Sequence, residues 1–110
     1  MKTNDVYLRH ILEAIEQIEE YVEGVDRSGF MSDSMRQDAV TRQLEIVGEA
    51  SRQLSESFRK EHDAIPWHAI IGMRNRIAHD YLNVDLEVIW DVVRHDLPGL
   101  KQQVRSMLEP

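Results

Sequence analysis

The chain has 110 residues, of which 42% are hydrophobic and 30% are charged, and its formal net charge at pH 7 is −7. This composition predicts a single folded domain over residues 1–110 and excludes a disordered protein. Because cysteine is absent, disulfides, zinc–thiolate sites and thiol catalysis are excluded as well.

The acidic balance argues against a general nucleic-acid binder, so no DNA partner is expected. No apolar run approaches the length that a membrane span needs, so no membrane partner is expected either. The N-terminus leads directly into an amphipathic pattern and shows no apolar signal region. We therefore expect a soluble protein in the cytoplasm.

Apolar residues at alternating steps of three and four predict a long first helix, from about residue 4 to about residue 23. Thr3 or Asn4 can cap its beginning, and Gly24 marks the turn that follows it. The apolar seam of this helix consists of Leu8, Ile11, Ile15, Ile18, Val22 and Val25.

A second helix of about 25 residues is predicted after Ser32, Asp33 and Ser34, which offer caps. Gly48 lies inside this helix, where glycine costs about 1 kcal/mol relative to alanine. We interpret it as the point where another helix approaches closely, and a catalytic role is the less favoured alternative. The apolar seam of the second helix consists of Val40, Leu44, Val47, Leu54 and Phe58.

Pro66 suits the first turn of a third helix, which we expect to fray near His79–Tyr81. Asp85 can cap a fourth helix, which Pro98 should kink or restart near Asp96. No segment alternates polar and apolar residues for long enough to indicate a strand. The predicted fold is all-α, an antiparallel up-down bundle of four main helices.

The third helix ends in the chain's most informative segment, RNRIAHDY at residues 74–81. Arg74 falls within the apolar stripe of that helix, and a guanidinium is costly to bury without a partner. It therefore needs an anion, a polar neighbour or a second chain. A structural alternative remains open, in which a carboxylate of another helix, such as Glu45 or Glu49, pairs with Arg74.

Arg74, His79 and Tyr81 follow an R-x4-H-x-Y spacing. Residues five apart on a continuous helix point about 140° apart, so Arg74 and His79 would diverge. Asn75 and His79 are four apart and share a face. Two arrangements would unite the motif. Either the helix unwinds before His79, or the motif meets its copy from a second subunit.

These residue types suit RNA cleavage without a metal ion. An imidazole can act as general acid or base near neutral pH, and an arginine can hold a phosphate by a forked pair of bonds. Asn75 can orient the imidazole or bind the substrate, and the nearby carboxylates are too few for a two-metal clamp. Structural alternatives are a capping role for His79 and a core-edge position for Tyr81.

Several blocks of the sequence resemble the HepT-like branch of the HEPN superfamily, and the likeness spans nearly the whole chain. The blocks are RQLEIVGEA at residues 42–50, IPW at 65–67, GMRNRIAHDY at 72–81, VD at 84–85, and the region from Ile89-Trp90 to Leu97-Pro98. The resemblance implies a four-helix HEPN bundle that forms a homodimer, with the two motifs facing each other across a cleft. It also implies a metal-independent ribonuclease without a cofactor.

The resemblance further implies the toxin of a type VII-like toxin–antitoxin pair, whose antitoxin is an MNT-type nucleotidyltransferase. The catalytic residues of the family map onto Arg74 and His79, with Asn75 as the polar neighbour, and we expect Arg74 and Arg76 to bind the RNA. Tyr81 is the expected acceptor of AMP, whose charge would block phosphate entry. The alternative function is a non-catalytic HEPN module that binds a nucleotide or a partner.

Overall fold

Four long helical stretches make up the architecture. A computed structural model describes residues 2–109, with side chains described for residues 4–109. The helices are α1 (Lys2–Val22), α2 (Arg27–Met31), α3 (Ser34–Gln53), α4 (Glu56–Glu61), α5 (Trp67–His79), α6 (Leu86–Asp91) and α7 (Leu97–Leu108). A 3-10 turn at Tyr81–Asn83 precedes α6, and a π-helical turn at Val92–Asp96 joins α6 to α7. Residues 2–109 contain no strand, which confirms the predicted all-α bundle.

The core lies between α1 and the helices that surround it. α1 packs against α3 and α7, and α5 packs mainly against α3. The predicted seam of α1 is buried from Leu8 to Val22 and joins apolar residues of the other helices in one cluster. The short α2 was not predicted, and its fully buried Phe30 stacks on Trp90 of α6 with ring centroids 5.1 Å apart.

The first helix begins two residues before its approximate predicted start, and its predicted cap is wrong. α1 begins at Lys2, which places Asn4 inside the helix. Asn4 is 4% exposed, and its side chain donates to Ser55 Oγ at 3.3 Å and accepts from the Ser55 backbone N–H at 3.1 Å. Thr3, the other candidate cap, also lies inside α1, and its side chain is outside the described part of the structure.

The single second helix that the seam predicts is two helices, α3 and α4, separated at Leu54 and Ser55. The Ser55 hydroxyl accepts from the Phe58 backbone N–H at 3.2 Å and so caps α4. The backbone N–H of Ser55 is bound by Asn4 of α1. The interruption thus combines a local cap, Ser55, with a contact from a distant part of the chain, Asn4.

Most predicted features of the last two long stretches are confirmed, but Pro66 lies at the N-cap of α5 and not in its first turn. α5 ends at His79, and Asp85 caps α6 by accepting from the Glu87 backbone N–H at 2.9 Å. Pro98 has no N–H to continue an α-helix, and the winding changes just before it, since the Leu97 N–H bonds to the Val92 carbonyl. Among residues 2–109, no helix combines the length and the apolar character that crossing a membrane requires.

Candidate active site

Arg74 lies at a close approach between α3 and α5. A Cβ atom added to Gly48 of α3 would stand 2.1 Å from the Cβ of Arg74 and 3.1 Å from the backbone oxygen of Ile70. Side chains do not come this close, so glycine is the residue that allows the two helices to meet here. The predicted reason for a glycine inside the second helix is confirmed.

The Arg74 guanidinium has two polar neighbours. Its Nε atom lies 3.3 Å from Glu49 Oε2, and its Nη1 atom donates to the Asn75 side-chain oxygen at 3.2 Å. The Nε atom is buried and its N–H is not aimed at an acceptor, so the contact with Glu49 is an ion pair rather than a hydrogen bond. The pairing with Glu49, left open as a structural alternative, is present. The Arg74 side chain is nevertheless 23% exposed and reaches the surface.

Glu49 is itself held by other residues of α3. It accepts from Arg52 in a forked pair at 2.9 and 3.2 Å, and from the Gln53 amide at 3.2 Å. The hydrogen bonds from Arg52 are the largest cause that keeps the pKa of Glu49 below its ordinary value, and Arg74 contributes in the same direction. Glu49 therefore presents Arg74 with a fixed negative charge.

His79 is the last residue of α5 and is exposed. Within the described residues its imidazole forms no hydrogen bond, so the capping role is not observed. Because α5 stays helical up to His79, the arrangement in which the helix unwinds earlier is not adopted. Arg74 and His79 of one chain therefore point about 140° apart, while the exposed Asn75 lies on the same face as His79.

Tyr81 opens the 3-10 turn and is 70% exposed, so it does not occupy a core edge. It lines a depression of about 500 Å³ between the end of α5 and the first half of α3. Leu82 beside it is 82% exposed. The phenol ring is thus presented to solvent at the point where α5 ends.

Arg76 lies on the opposite side of α5 from Arg74, because two helical steps rotate a side chain by about 200°. It lines a separate cavity of about 470 Å³, which α5 forms with the 3-10 turn and α6. The structure therefore does not bring the two arginines, both expected to contact the substrate, to the same face of one chain.

Two residues that the sequence did not single out share the surroundings of Arg74. Tyr7 and His10 of α1 line the same depression of about 210 Å³ as Arg74, and their rings stand nearly perpendicular with centroids 6.0 Å apart. Their spacing of three predicts only that they share a face of α1. Among the residues whose side chains are described, no three histidine, aspartate or glutamate side chains converge as a metal site would require.

Comparisons with known proteins identify a family and several relatives of this chain. The model of a family described as "Ribonuclease HepT-like" matches residues 11–107. "Probable ribonuclease HepT" of Thermococcus cleftensis is 43% identical over 101 residues, 92% of each chain. "Putative RNase" of Caldanaerobacter subterraneus subsp. tengcongensis is 38% identical over 109 residues, 99% of this chain and 97% of the relative.

A further relative is longer. "Gamma-glutamylcyclotransferase and putative RNase" of Methanocaldococcus jannaschii is 41% identical over 104 residues, 94% of this chain, but the chain spans only 47% of that protein. No solved structure gives a significant match.

Proposed function

The chain belongs to the HepT-like ribonuclease family, and from this premise we propose that it is a metal-independent endoribonuclease. The observation that carries the proposal is the placement of Arg74. Gly48 and Glu49 hold its guanidinium at the surface of α5, about one and a half turns from the exposed His79. A fixed cation and an exposed imidazole are groups that can cleave a phosphodiester without a metal ion once both face the same phosphate.

The proposed reaction is an attack within the RNA itself. An imidazole takes the proton of the 2′-hydroxyl, the 2′-oxygen bonds to phosphorus, and the bond from phosphorus to the 5′-oxygen breaks. The leaving 5′-oxygen takes a proton from a second imidazole, which gives a 2′,3′-cyclic phosphate and a 5′-hydroxyl. Arg74 stabilises the charge that develops on the phosphoryl oxygens, and Asn75 orients the neighbouring groups.

The proposed enzyme is a homodimer. In one chain Arg74 and His79 diverge, so a single copy does not present both to the same phosphate. A second copy facing the end of α5 would supply the missing group and the second imidazole. In support, the end of α5 leaves two large hydrophobic side chains uncovered, since Tyr81 is 70% and Leu82 is 82% exposed.

Purified protein should cleave single-stranded RNA at an unchanged rate in excess EDTA, because no step needs a metal ion. A single 2′-deoxy substitution at the cleaved nucleotide should stop cleavage there, because the nucleophile is then missing. Gel analysis of an end-labelled oligonucleotide, with the deoxy substitution placed one nucleotide away as the control, checks both expectations. Cleavage that persists without the 2′-hydroxyl would contradict the proposed reaction.

We propose further that the protein is the toxin of a type VII-like toxin–antitoxin pair, neutralised when an MNT-type nucleotidyltransferase transfers AMP to Tyr81. The exposure of the Tyr81 side chain at the end of α5 supports this proposal, because a modifying enzyme can reach it. An attached AMP would place negative charge near the phosphate-binding arginine and oppose RNA entry.

Co-production with a nucleotidyltransferase encoded beside this gene should add one or more AMP groups to the peptide that contains Tyr81. Mass spectrometry of the digested protein measures the added mass. The Tyr81→Phe variant should carry none, and the half-buried Tyr7 and Tyr21 serve as internal controls that stay unmodified. AMP on those residues, with Tyr81 clean, would overturn this regulation.

A further inference from the structure

Arg42 of α3 connects the surroundings of Arg74 with those of Tyr81. It lines the depression of about 210 Å³ that contains Arg74 and also the depression of about 500 Å³ that contains Tyr81. Glu45 is likewise common to both. The two depressions therefore form one path along the α3–α5 face, and Arg42 stands in its middle.

We infer that Arg42 is a second phosphate-binding residue, which holds an RNA phosphate adjacent to the one at Arg74. The inference rests on the proposed function, because it names a further substrate contact of the same site. A single strand that places one phosphate on Arg74 and runs along this face brings a neighbouring phosphate to Arg42. The guanidinium suits that contact, since its planar fork matches phosphate oxygens.

The Arg42 side chain is available for this contact. It is 67% exposed, and its ion pair is with Glu45 of the same helix, at 3.2 Å. Exposed pairs of this kind contribute little to stability, so a phosphate can displace the carboxylate at small cost. Asp38 lines the Tyr81 end of the path, which directs the anion from Arg42 toward Arg74.

The path is less acidic than the protein as a whole, whose formal net charge is −7. Arg42, Arg52 and Arg74 lie on this face with two carboxylates between them, those of Glu45 and Glu49. Each carboxylate is already paired with an arginine of its own helix. With Asp38 at the Tyr81 end of the path, three arginines face three carboxylates, so the formal charges along the path cancel.

The salt dependence of RNA binding tests this inference. A single-stranded RNA oligonucleotide with 2′-O-methyl groups throughout cannot be cleaved, and fluorescence anisotropy measures its Kd over a range of KCl concentrations. Losing one phosphate contact to a single strand lowers the slope of log K against log salt by about 0.7, equivalent to about fivefold weaker binding at 0.1 M salt. The Arg42→Ala variant should show this change, and Arg42→Lys, which keeps the charge, should recover most of the slope.

Arg105→Ala is the matched control. Arg105 is 50% exposed and pairs with one carboxylate, Glu16 at 3.4 Å, but it lies on α7 away from the path. The slope of log K against log salt for Arg105→Ala should equal that of the wild type. A reduction of this slope as large as that of Arg42→Ala would overturn the inference, because it would show only a general charge effect. An unchanged slope for Arg42→Ala, with wild-type protein that binds and cleaves RNA, would overturn the inference alone. Wild-type protein that binds no RNA would overturn the proposed function as well.

Discussion

Replacing His79 by alanine should slow RNA cleavage by at least about a hundredfold, because a positioned general acid or base typically contributes 10²–10⁴ to a rate. The fold should be unaffected. His79 is exposed at the end of α5 and forms no hydrogen bond within the described residues, and such surface changes usually alter stability by less than about 0.5 kcal/mol. Initial cleavage rates and thermal unfolding followed by circular dichroism measure the two quantities.

His68→Ala is the matched control, because His68 is an exposed histidine on the same helix. It should cleave RNA like the wild type and unfold at the same temperature. Equal activity of the His79→Ala variant and this control would show that His79 takes no part in the reaction.

Mixing two inactive variants tests the division of the site between copies. In a dimer of one Arg74→Ala chain and one His79→Ala chain, an intact arginine of one copy can still meet an intact histidine of the other. Co-produced variants should therefore recover a small part of the wild-type rate, although each is inactive alone. Recovery stays partial because one His79 remains in the mixed dimer and the second imidazole is lost. If Arg74 and His79 of the same chain formed the site, the mixture would recover nothing.

The long helices were predictable because apolar periodicity is a local property of the chain. The steps from Leu8 to Val22 indicate the buried face of α1, and the structure buries those residues. The break between α3 and α4 was missed, although Ser55 caps α4 through the nearby Phe58 N–H. The contact of Asn4 with Ser55 joins distant parts of the chain, and no local pattern contains that information.

Some features of the candidate site were likewise predictable from the sequence, and others were not. Helical geometry alone indicated that Arg74 and His79 of one chain diverge, and the continuous α5 agrees with this expectation. The neighbours of Arg74 were less predictable. Glu49 was one of two possible partners, and the approach of Tyr7 from α1 depends on the packing of three helices.

Replacing Gly48 by alanine should destabilise the fold by up to about 2 kcal/mol, which is the usual overpacking cost of about 1–3 kcal/mol less the helix-propensity gain of alanine. The added methyl group would meet the Cβ of Arg74 at 2.1 Å, and neither atom can move without moving its helix. The intrinsic gain of about 1 kcal/mol for alanine over glycine in a helix works against this cost. Urea unfolding should therefore show a lower midpoint concentration. The rate of RNA cleavage should also fall, because a displaced α5 moves Arg74 from its position.

Gly72→Ala separates packing from helix propensity. Gly72 lies in the middle of α5, and an added Cβ there would have nothing within 4 Å. The same substitution should therefore stabilise the chain by up to about 1 kcal/mol and leave cleavage unchanged. If alanine destabilises the fold at Gly48 and stabilises it at Gly72, Gly48 is required for the approach of α3 to Arg74. A stabilising Gly48→Ala would mean that the two helices are not held at this distance, and the positioning of Arg74 by α3 would then have no basis.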